Sequence, residues 1–409
     1  MTQAVLVFNV GSSSIKYQLL ALDDAGDGQR LATGLVERIG GGGQGRLEHT
    51  PAGREPYLRG RVFADHRQAL DAMLEAFRAA GPDLGEVRPA AIGHRVVHGG
   101  AEFADATVLD DRVLHRIREL IPLAPLHNPA NITGVEVAAE AFPGVPQVAV
   151  FDTAFHRTLP AAASTYAVPR EWRERYAVRR YGFHGTSHRY VARRAAEFLG
   201  RDPERTDLIV LHLGNGASAT AVAGGRSVET SMGLTPLEGL VMGTRSGDLD
   251  PAVPAYLERV AGLDAVEVER ALNEDGGLLA LAGSNDLRDV RRAAAAGDPG
   301  AKLAIDVYCH RIRKYVGAYY AVLGRVDAIV FTAGVGENDA RTRALSLAGL
   351  ENLGIAVDAV RNEADAHGER VISPEGAPIA VLVIPTDEEI EIARQALAAV
   401  AGRDARRVR

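Results

Sequence analysis

Along the chain, apolar residues gather in short blocks broken by glycine and polar turns, and no block reaches the ~18 residues needed to cross a bilayer. Residues 4–10 form one such block, rich in Val and Leu, which predicts a buried strand. Gly11-Ser12-Ser13-Ser14 interrupts it. Residues 15–20 then resume with partial alternation, so the pair predicts a β-hairpin. The pattern recurs near mid-chain, with an apolar block over 208–213, a turn at Gly214-Asn215-Gly216 and a return strand over 217–222. Two copies half a chain apart predict two similarly folded domains rather than an array of short repeats. A strand over 328–332 leads into a third glycine turn, Gly334-Val335-Gly336, and then into helical composition over 337–348. Strands over 147–151 and 379–384 end at Asp152 and Pro385. Thr386 is then expected to cap a helix that carries acids in its first turn and runs to Val400. Strands and helices alternate throughout, so the class is α/β.

Composition narrows the reading. A chain of 409 residues predicts two or three domains. A net charge of −7 leaves no basic excess with which to coat a nucleic acid. Cys309 is the one cysteine, so no intrachain disulfide can form; within a helical stretch over 306–317 it reads as a buried core thiol. The opening MTQAVLVFNVGSSS has no basic n-region and no cleavage site, so the expectation is a cytoplasmic chain without a membrane partner.

The three glycine turns are the first chemical signal. Successive backbone N–H groups in such turns can cradle phosphate oxygens, and glycine lets an anion come close. No G-x-x-x-x-G-K-[ST] occurs, so this is not a P-loop chain. Gly40, Gly42 and Gly45 match G-x-G-x-x-G, but no strand leads in and no helix follows; the segment reads as a hairpin tip. His94/His98 and His184/His188 are spaced i, i+4, yet there is no H-E-x-x-H and no cysteine cluster, so zinc is set aside.

VFNVGSSSIKYQL, GHRVVHGG, PLHNPAN, FDTAFH, YGFHGTSH, HLGNGAS, MGTRSGDLDP, FTAGVGEN and TDEE occur in one order and cover the chain from residue 5 to 389. This set resembles the acetate kinase family, of the sugar kinase, Hsp70 and actin superfamily. The resemblance implies two duplicated ribonuclease-H-like, actin-like ATPase domains around an inter-domain nucleotide cleft. One would span residues 1–152 and be completed by the helix 388–409; the other would span 153–387, bind nucleotide and form a homodimer. The implied reaction is reversible, direct in-line transfer of the ATP γ-phosphoryl group to acetate, giving acetyl phosphate and ADP with Mg²⁺, for which Mn²⁺ can substitute.

A carboxyl group titrates near ~4, so the acceptor is already ionised at neutral pH and needs no general base. The site must instead hold two anions and stabilise charge on the phosphoryl group. Arg95 and Arg245 are the candidate cations, since a guanidinium forks onto carboxylate or phosphate. By resemblance, His184 donates to the phosphoryl oxygens, and His127 and His212 contact phosphate more peripherally. Asp152 is catalytic, as a metal ligand or a proton shuttle. Asn9 and Glu388 form the magnesium set. Ser12, Ser14 and Lys16 belong to the first phosphate hairpin. His212, Leu213, Gly214, Asn215 and Gly216 belong to the second. Asp286, Leu287 and Arg288 match the adenosine-side loop, where the family often carries an aromatic, together with Gly334, Val335, Gly336, Glu337 and Asn338. Val97, Leu126, Phe183 and Pro236 form the methyl pocket, in which a valine leaves little room beyond acetate. The rivals are a propionate or butyrate kinase, a non-catalytic ATP-binding scaffold, and a sugar kinase with Asp152 as its base.

Overall fold

The computed structural model describes residues 2–24 and 26–407, and they divide into two units. The first unit holds Met1–Ala154 and Asp387–Arg409, the second Phe155–Thr386.

The first unit is built on β1 (Gln3–Val10), β2 (Ser14–Leu22), β3 (Gly28–Glu37), β4 (Gly45–Pro51), β5 (Tyr57–Arg61), β6 (Ala91–Val96), β7 (Thr107–Val108) and β8 (Gln147–Phe151). Their order in the sheet is β5-β4-β3-β2-β1-β6-β8-β7. The β1–β5 strands pair antiparallel, and β1, β6 and β8 run parallel. The central strand β1 is buried on both faces, which is why its apolar block is continuous. Leu6 and Phe8 face the helices His66–Ala80 and Asn128–Ala141. Val5 and Val7 face Ile392, Ala393 and Ala396 of the C-terminal helix, Glu388–Arg407. Successive side chains of one strand thus feed two cores.

The second unit holds β9 (Asp207–Leu213), β10 (Ala217–Ala223), β11 (Arg226–Thr230), β12 (Ala328–Thr332), β13 (Arg370–Val371) and β14 (Ala380–Val383), in the order β11-β10-β9-β12-β14-β13. Here β9, β12 and β14 are parallel and β9-β10-β11 antiparallel. The helix Gly185–Phe198 covers one face through Val191, Ala192 and Ala195. The helix Pro299–Leu323, which buries Cys309, packs on β9 and β10.

The two sheets share one plan. Three antiparallel strands are followed by two that run parallel to the first: β3-β2-β1-β6-β8 in one unit, β11-β10-β9-β12-β14 in the other. This is the ribonuclease-H-like order, present twice, and the chain has the duplicated actin-like ATPase fold. Gly11–Ser13 and Gly214–Gly216 fall at equivalent hairpins.

Two local expectations are corrected. Gly334-Val335-Gly336 is not a turn but the body of a short helix, Ala333–Asn338. The reversal falls one residue earlier, at Ala333, whose φ is +64°. Nor does Thr386 cap the last helix. Its hydroxyl is bonded to Ser187, and Asp387 caps instead, accepting from the Ile390 N–H at 3.0 Å. An aspartate one residue before the first turn reaches the third N–H, which is the usual capping geometry. The Gly40–Gly45 segment joins β3 to β4 as the hairpin tip expected of it.

Candidate active site

In a sheet of this kind the carboxyl ends of parallel strands collect the functional side chains. In the first unit Arg95 lies near the end of β6 and Asp152 follows β8, and the Asp152 N–H donates to the Val96 carbonyl at 3.0 Å. The two side chains form a fork. Arg95 Nε donates to Oδ1 and Oδ2 of Asp152 at 3.0 and 3.1 Å, and Nη2 to Oδ2 at 2.7 Å. Glu388 Oε2 stands 3.8 Å from Arg95 Nε. Burial works against the Arg95 charge, but the carboxylates of Asp152, Glu388 and Glu389 outweigh it and hold the guanidinium above its ordinary value. Burial pushes the Glu388 carboxyl up from the usual range, against the pull of Arg95.

Asn9 is half-buried on β1, opposite Lys16 in register. Lys16 is ion-paired with Glu389 of the C-terminal helix. The turn itself is tight, with the Gly11 N–H donating to the Ser14 carbonyl at 2.9 Å, and Ser12 is exposed at its tip.

Two residues that sequence reasoning passed over shape this unit's loop. Asn131 accepts from the Val97 N–H at 3.1 Å and donates to the Val10 carbonyl at 2.8 Å. Asn128 spans His98, accepting from its N–H and donating to its carbonyl. Both amides are buried, and they tie the Val97 segment to the end of β1. His127 begins that helix, and Leu126 before it is 59% exposed. Their local sequence shows only a pair of asparagines near the start of a helix, and the partners lie in other segments.

In the second unit His184 precedes the helix Gly185–Phe198 in left-handed conformation, φ 54°. Its ring stacks on His212 with centroids 4.2 Å apart, and its Nδ1 lies 2.9 Å from Ser218 Oγ. A Cβ added at Gly216 would stand 3.4 Å from His184 Nε2 and 3.4 Å from Arg245 Nη2. The imidazole and the guanidinium therefore converge on one backbone position of the glycine turn. Gly243 is needed for a neighbouring reason, because a Cβ there would lie 2.0 Å from Asn215 Oδ1.

Arg245 is carried by a long irregular segment that is nonetheless held in place. Its own Nη1 donates to the Pro236 carbonyl at 2.7 Å. Arg180 donates to the carbonyls of Thr230, Ser231 and Met232 at one end, each at 3.1 Å. Asp248 accepts from Gly239 N–H and Tyr315 at the other. Phe183 is fully buried, and its carbonyl accepts from His156.

A cavity of about 810 Å³ opens beside the glycine turn. Of the residues expected around a nucleotide, Gly214, Asn215, Asp286, Leu287, Arg288, Gly334, Val335 and Asn338 line it. Leu213, Gly216, Gly336 and Glu337 do not; Leu213 is buried in the sheet, and the Glu337 carboxylate accepts from the Thr386 N–H. Asn285, Arg291 and Tyr308 line the cavity without having been singled out, since nothing in their local sequence marks them. Asp286 caps the helix Leu287–Ala295 and is held down at about 2 by hydrogen bonds from Arg288. Beneath the cavity Arg343 is fully buried and grips the carbonyls of Gly336 and Glu337, both at 2.9 Å.

The spaced histidines have partners within the protein. His94 bonds Gln147 and His98 Nδ1 accepts from Gly100 N–H, while His184 and His188 meet at Ser218. Among the described residues no group of three or more His, Cys, Asp or Glu could hold a metal ion.

A sequence model of the Acetokinase family matches residues 4–394. The chain belongs to the acetokinase family. Acetate kinase of Streptomyces griseus is 59% identical over 405 residues, covering 98% of this chain and 97% of that protein. Acetate kinase of Syntrophobacter fumaroxidans is 52% identical over 400 residues, 96% of each chain. Among solved structures, Porphyromonas gingivalis acetate kinase superposes with a TM-score of 0.90 at 43% identity, covering 97% of this chain and all of that one. A propionate kinase from Francisella tularensis gives 0.89 at 40% identity, covering 97% and 99%. No helix among the described residues is long and apolar enough to cross a membrane.

The fork makes Asp152 the partner that keeps Arg95 in place. Asp152→Asn keeps the shape and removes the charge, leaving a partly buried guanidinium under-compensated. It should lower stability by about 1–3 kcal/mol, read as a shift of the denaturant midpoint. An unchanged midpoint would show that Arg95 does not depend on Asp152.

Proposed function

We propose that this chain transfers the γ-phosphoryl group of ATP to acetate, directly and reversibly, giving acetyl phosphate and ADP. The observation that carries the reading is the convergence of His184 Nε2 and Arg245 Nη2 on Gly216, beside the cavity lined by Gly214 and Asn215. Two donors aimed at one point of a glycine turn suit a phosphoryl group that gathers charge as it transfers. Membership of the acetokinase family supports the same reaction.

In this reading the nucleotide base and sugar occupy the 810 Å³ cavity between Asp286–Arg288 and Gly334–Asn338. Ser12, Ser14, Lys16, His127 and His212 contribute to holding phosphate. Arg95 takes the acid. Its Nε and Nη2 are spent on Asp152, which leaves Nη1 for the substrate carboxylate. Asp152 acts as the anchor of Arg95. Both of its oxygens accept from the guanidinium, which argues against a general base and so against a sugar kinase. A carboxylate acceptor needs no such base.

Magnesium fits the oxygen donors of the first unit. Glu388 has a single long contact with Arg95, so its carboxylate retains capacity for a ligand, and Asn9 adds an amide oxygen from β1. Mg²⁺ takes few protein ligands and neutralises phosphate charge when bound with ATP. Mn²⁺ shares the preference for oxygen. The chain is further proposed to act in the cytoplasm and as a homodimer joined through the second unit. There the helix Val253–Ala261 buries none of its residues and exposes Tyr256 and Val260. Light scattering that gave only a 43.4 kDa particle would remove the dimer.

The Francisella propionate kinase keeps a second acid in view. Val97 and Leu126 in one unit, and Phe183 and Pro236 in the other, are the proposed methyl contacts. The test traps acyl phosphate with hydroxylamine, using ATP and each of acetate, propionate and butyrate. Acetate should lead, propionate follow and butyrate lag, since one methylene is worth only ~1–3 kcal/mol in an apolar pocket. Val97→Ala should move the ratio toward propionate. Arg95→Ala and Arg245→Ala should each lose on the order of 10²–10³ in kcat/KM. ATP turnover that ignores every acid would instead mark a nucleotide-binding scaffold and overturn the reading.

Glu388→Gln should raise the magnesium concentration needed for half-maximal rate by at least ~10-fold. An unchanged titration would reduce Glu388 to a residue of the helix start.

A further inference from the structure

Ser218 lies on β10 directly opposite His212 on β9. Its hydroxyl has two imidazole neighbours, His184 Nδ1 at 2.9 Å and His188 Nε2 at 2.7 Å. A serine hydroxyl has one proton, so it can donate to only one of them and must accept from the other. The direction is decided at the far side of His188. That ring is fully buried, and its Nδ1 has no hydrogen-bond partner. Burial, with His156 and His212 nearby, holds its pKa well below the ordinary imidazole value, so it is neutral and carries a single proton. Were that proton on Nδ1, a buried N–H would face no acceptor, the arrangement folded proteins avoid most strongly. The proton therefore sits on Nε2, and His188 donates to Ser218. Ser218 must then donate to His184 Nδ1. A neutral His184 is left with its proton on Nε2, the nitrogen that faces Gly216 together with Arg245.

We propose that Ser218 and His188 are positioning residues that lock neutral His184 in its Nε2–H tautomer, so that it presents a hydrogen-bond donor to the transferring phosphoryl group without having to be charged. The inference rests on the phosphoryl-transfer role given to His184 above. It also accounts for the i, i+4 spacing of the two histidines: one serine serves both. His212 completes the seat. It stacks on His184, and its own Nδ1 is tied to Ser187 Oγ at 2.8 Å. Near His184 stand His212 on β9, His188 one helical turn on and Arg245 across Gly216, with His156 behind His188.

The expectation has two readouts. The first is direct. Nitrogen-15 spectra of histidine-labelled protein, with His184 assigned by comparison with His184→Asn, should show Nε2 protonated and Nδ1 bare once the ring is neutral. A proton on Nδ1 would overturn the proposal, whatever the protein's activity. The second is kinetic. An imidazolium has a proton on both nitrogens, so the tautomer matters only where the ring is neutral. Ser218→Ala should lower kcat with KM for ATP little changed. The loss should grow as the pH is raised, toward roughly 10-fold, part of the effect of deleting a donor. Ser218→Thr, which restores a hydroxyl, should recover most of it. An equal loss at every pH would overturn the proposal, as would failure of Ser218→Thr to rescue. If His184→Ala keeps normal acyl-phosphate formation, the functional reading fails instead, and the spectra still decide the tautomer.

Discussion

Parallel pairing of strands is the constraint on which the chemistry of both units depends. Parallel strands end at the same edge, so residues far apart in sequence finish side by side. In the first unit β6 and β8 bring Arg95 and Asp152 within fork distance across 57 positions. In the second, β9 and β12 pair His212 with Thr332, and β14 ends just before Thr386, whose hydroxyl meets Ser187. Each antiparallel hairpin then folds a glycine turn over its own edge. Had either unit been a plain meander, these ends would have alternated between opposite edges.

Buried cations in this chain are treated in different ways, and the difference follows their surroundings. Arg95 is matched by carboxylates and stays above its ordinary value. Arg180 combines an ion pair with Glu238 and three carbonyls, so it can brace the start of the Arg245 segment. Arg343 has only carbonyls and Asn362 at hydrogen-bond distance, and burial pulls it down to about 10. A guanidinium at that value is still charged at neutral pH. Its five donors let it satisfy carbonyls at the end of the short helix Ala333–Asn338 that intrahelical bonds cannot reach. The glycines at 334 and 336 therefore stand on a charged clamp rather than in a flexible turn.

The duplicated hairpin was legible because it is written in local hydrophobic pattern, and the Arg, His and Asp candidates because they sit in the short motifs that carry the family resemblance. What was hidden depended on tertiary neighbours. Gly334–Gly336 looked like a turn because nothing local distinguishes a glycine-rich helix start from a loop. Thr386 looked like a cap because Asp387 was equally eligible, and only Ser187, from a distant helix, decides between them. Lys16 was legible only as a candidate phosphate ligand; its ion pair with Glu389, more than 370 positions away, was not. Asn128 and Asn131 were unreadable in their bracing role because their partners, His98 and Val10, lie in other segments.

Two kinds of donor serve this chemistry, and they differ in what they cost. Arginine brings a permanent charge that pulls anions in and stabilises transferring phosphate, but it demands compensation when buried, as the Arg95 fork illustrates. A neutral imidazole brings no charge to compensate and gives a single directed bond, provided that its proton is on the right nitrogen. Around His184 that condition is met through Ser218, which His188 orients in turn. In the proposed function the strong attraction is left to Arg95 and Arg245, and the fine direction to His184. For the proposed reversible transfer that division matters, because a directed neutral donor releases an anion more readily than a second buried charge would.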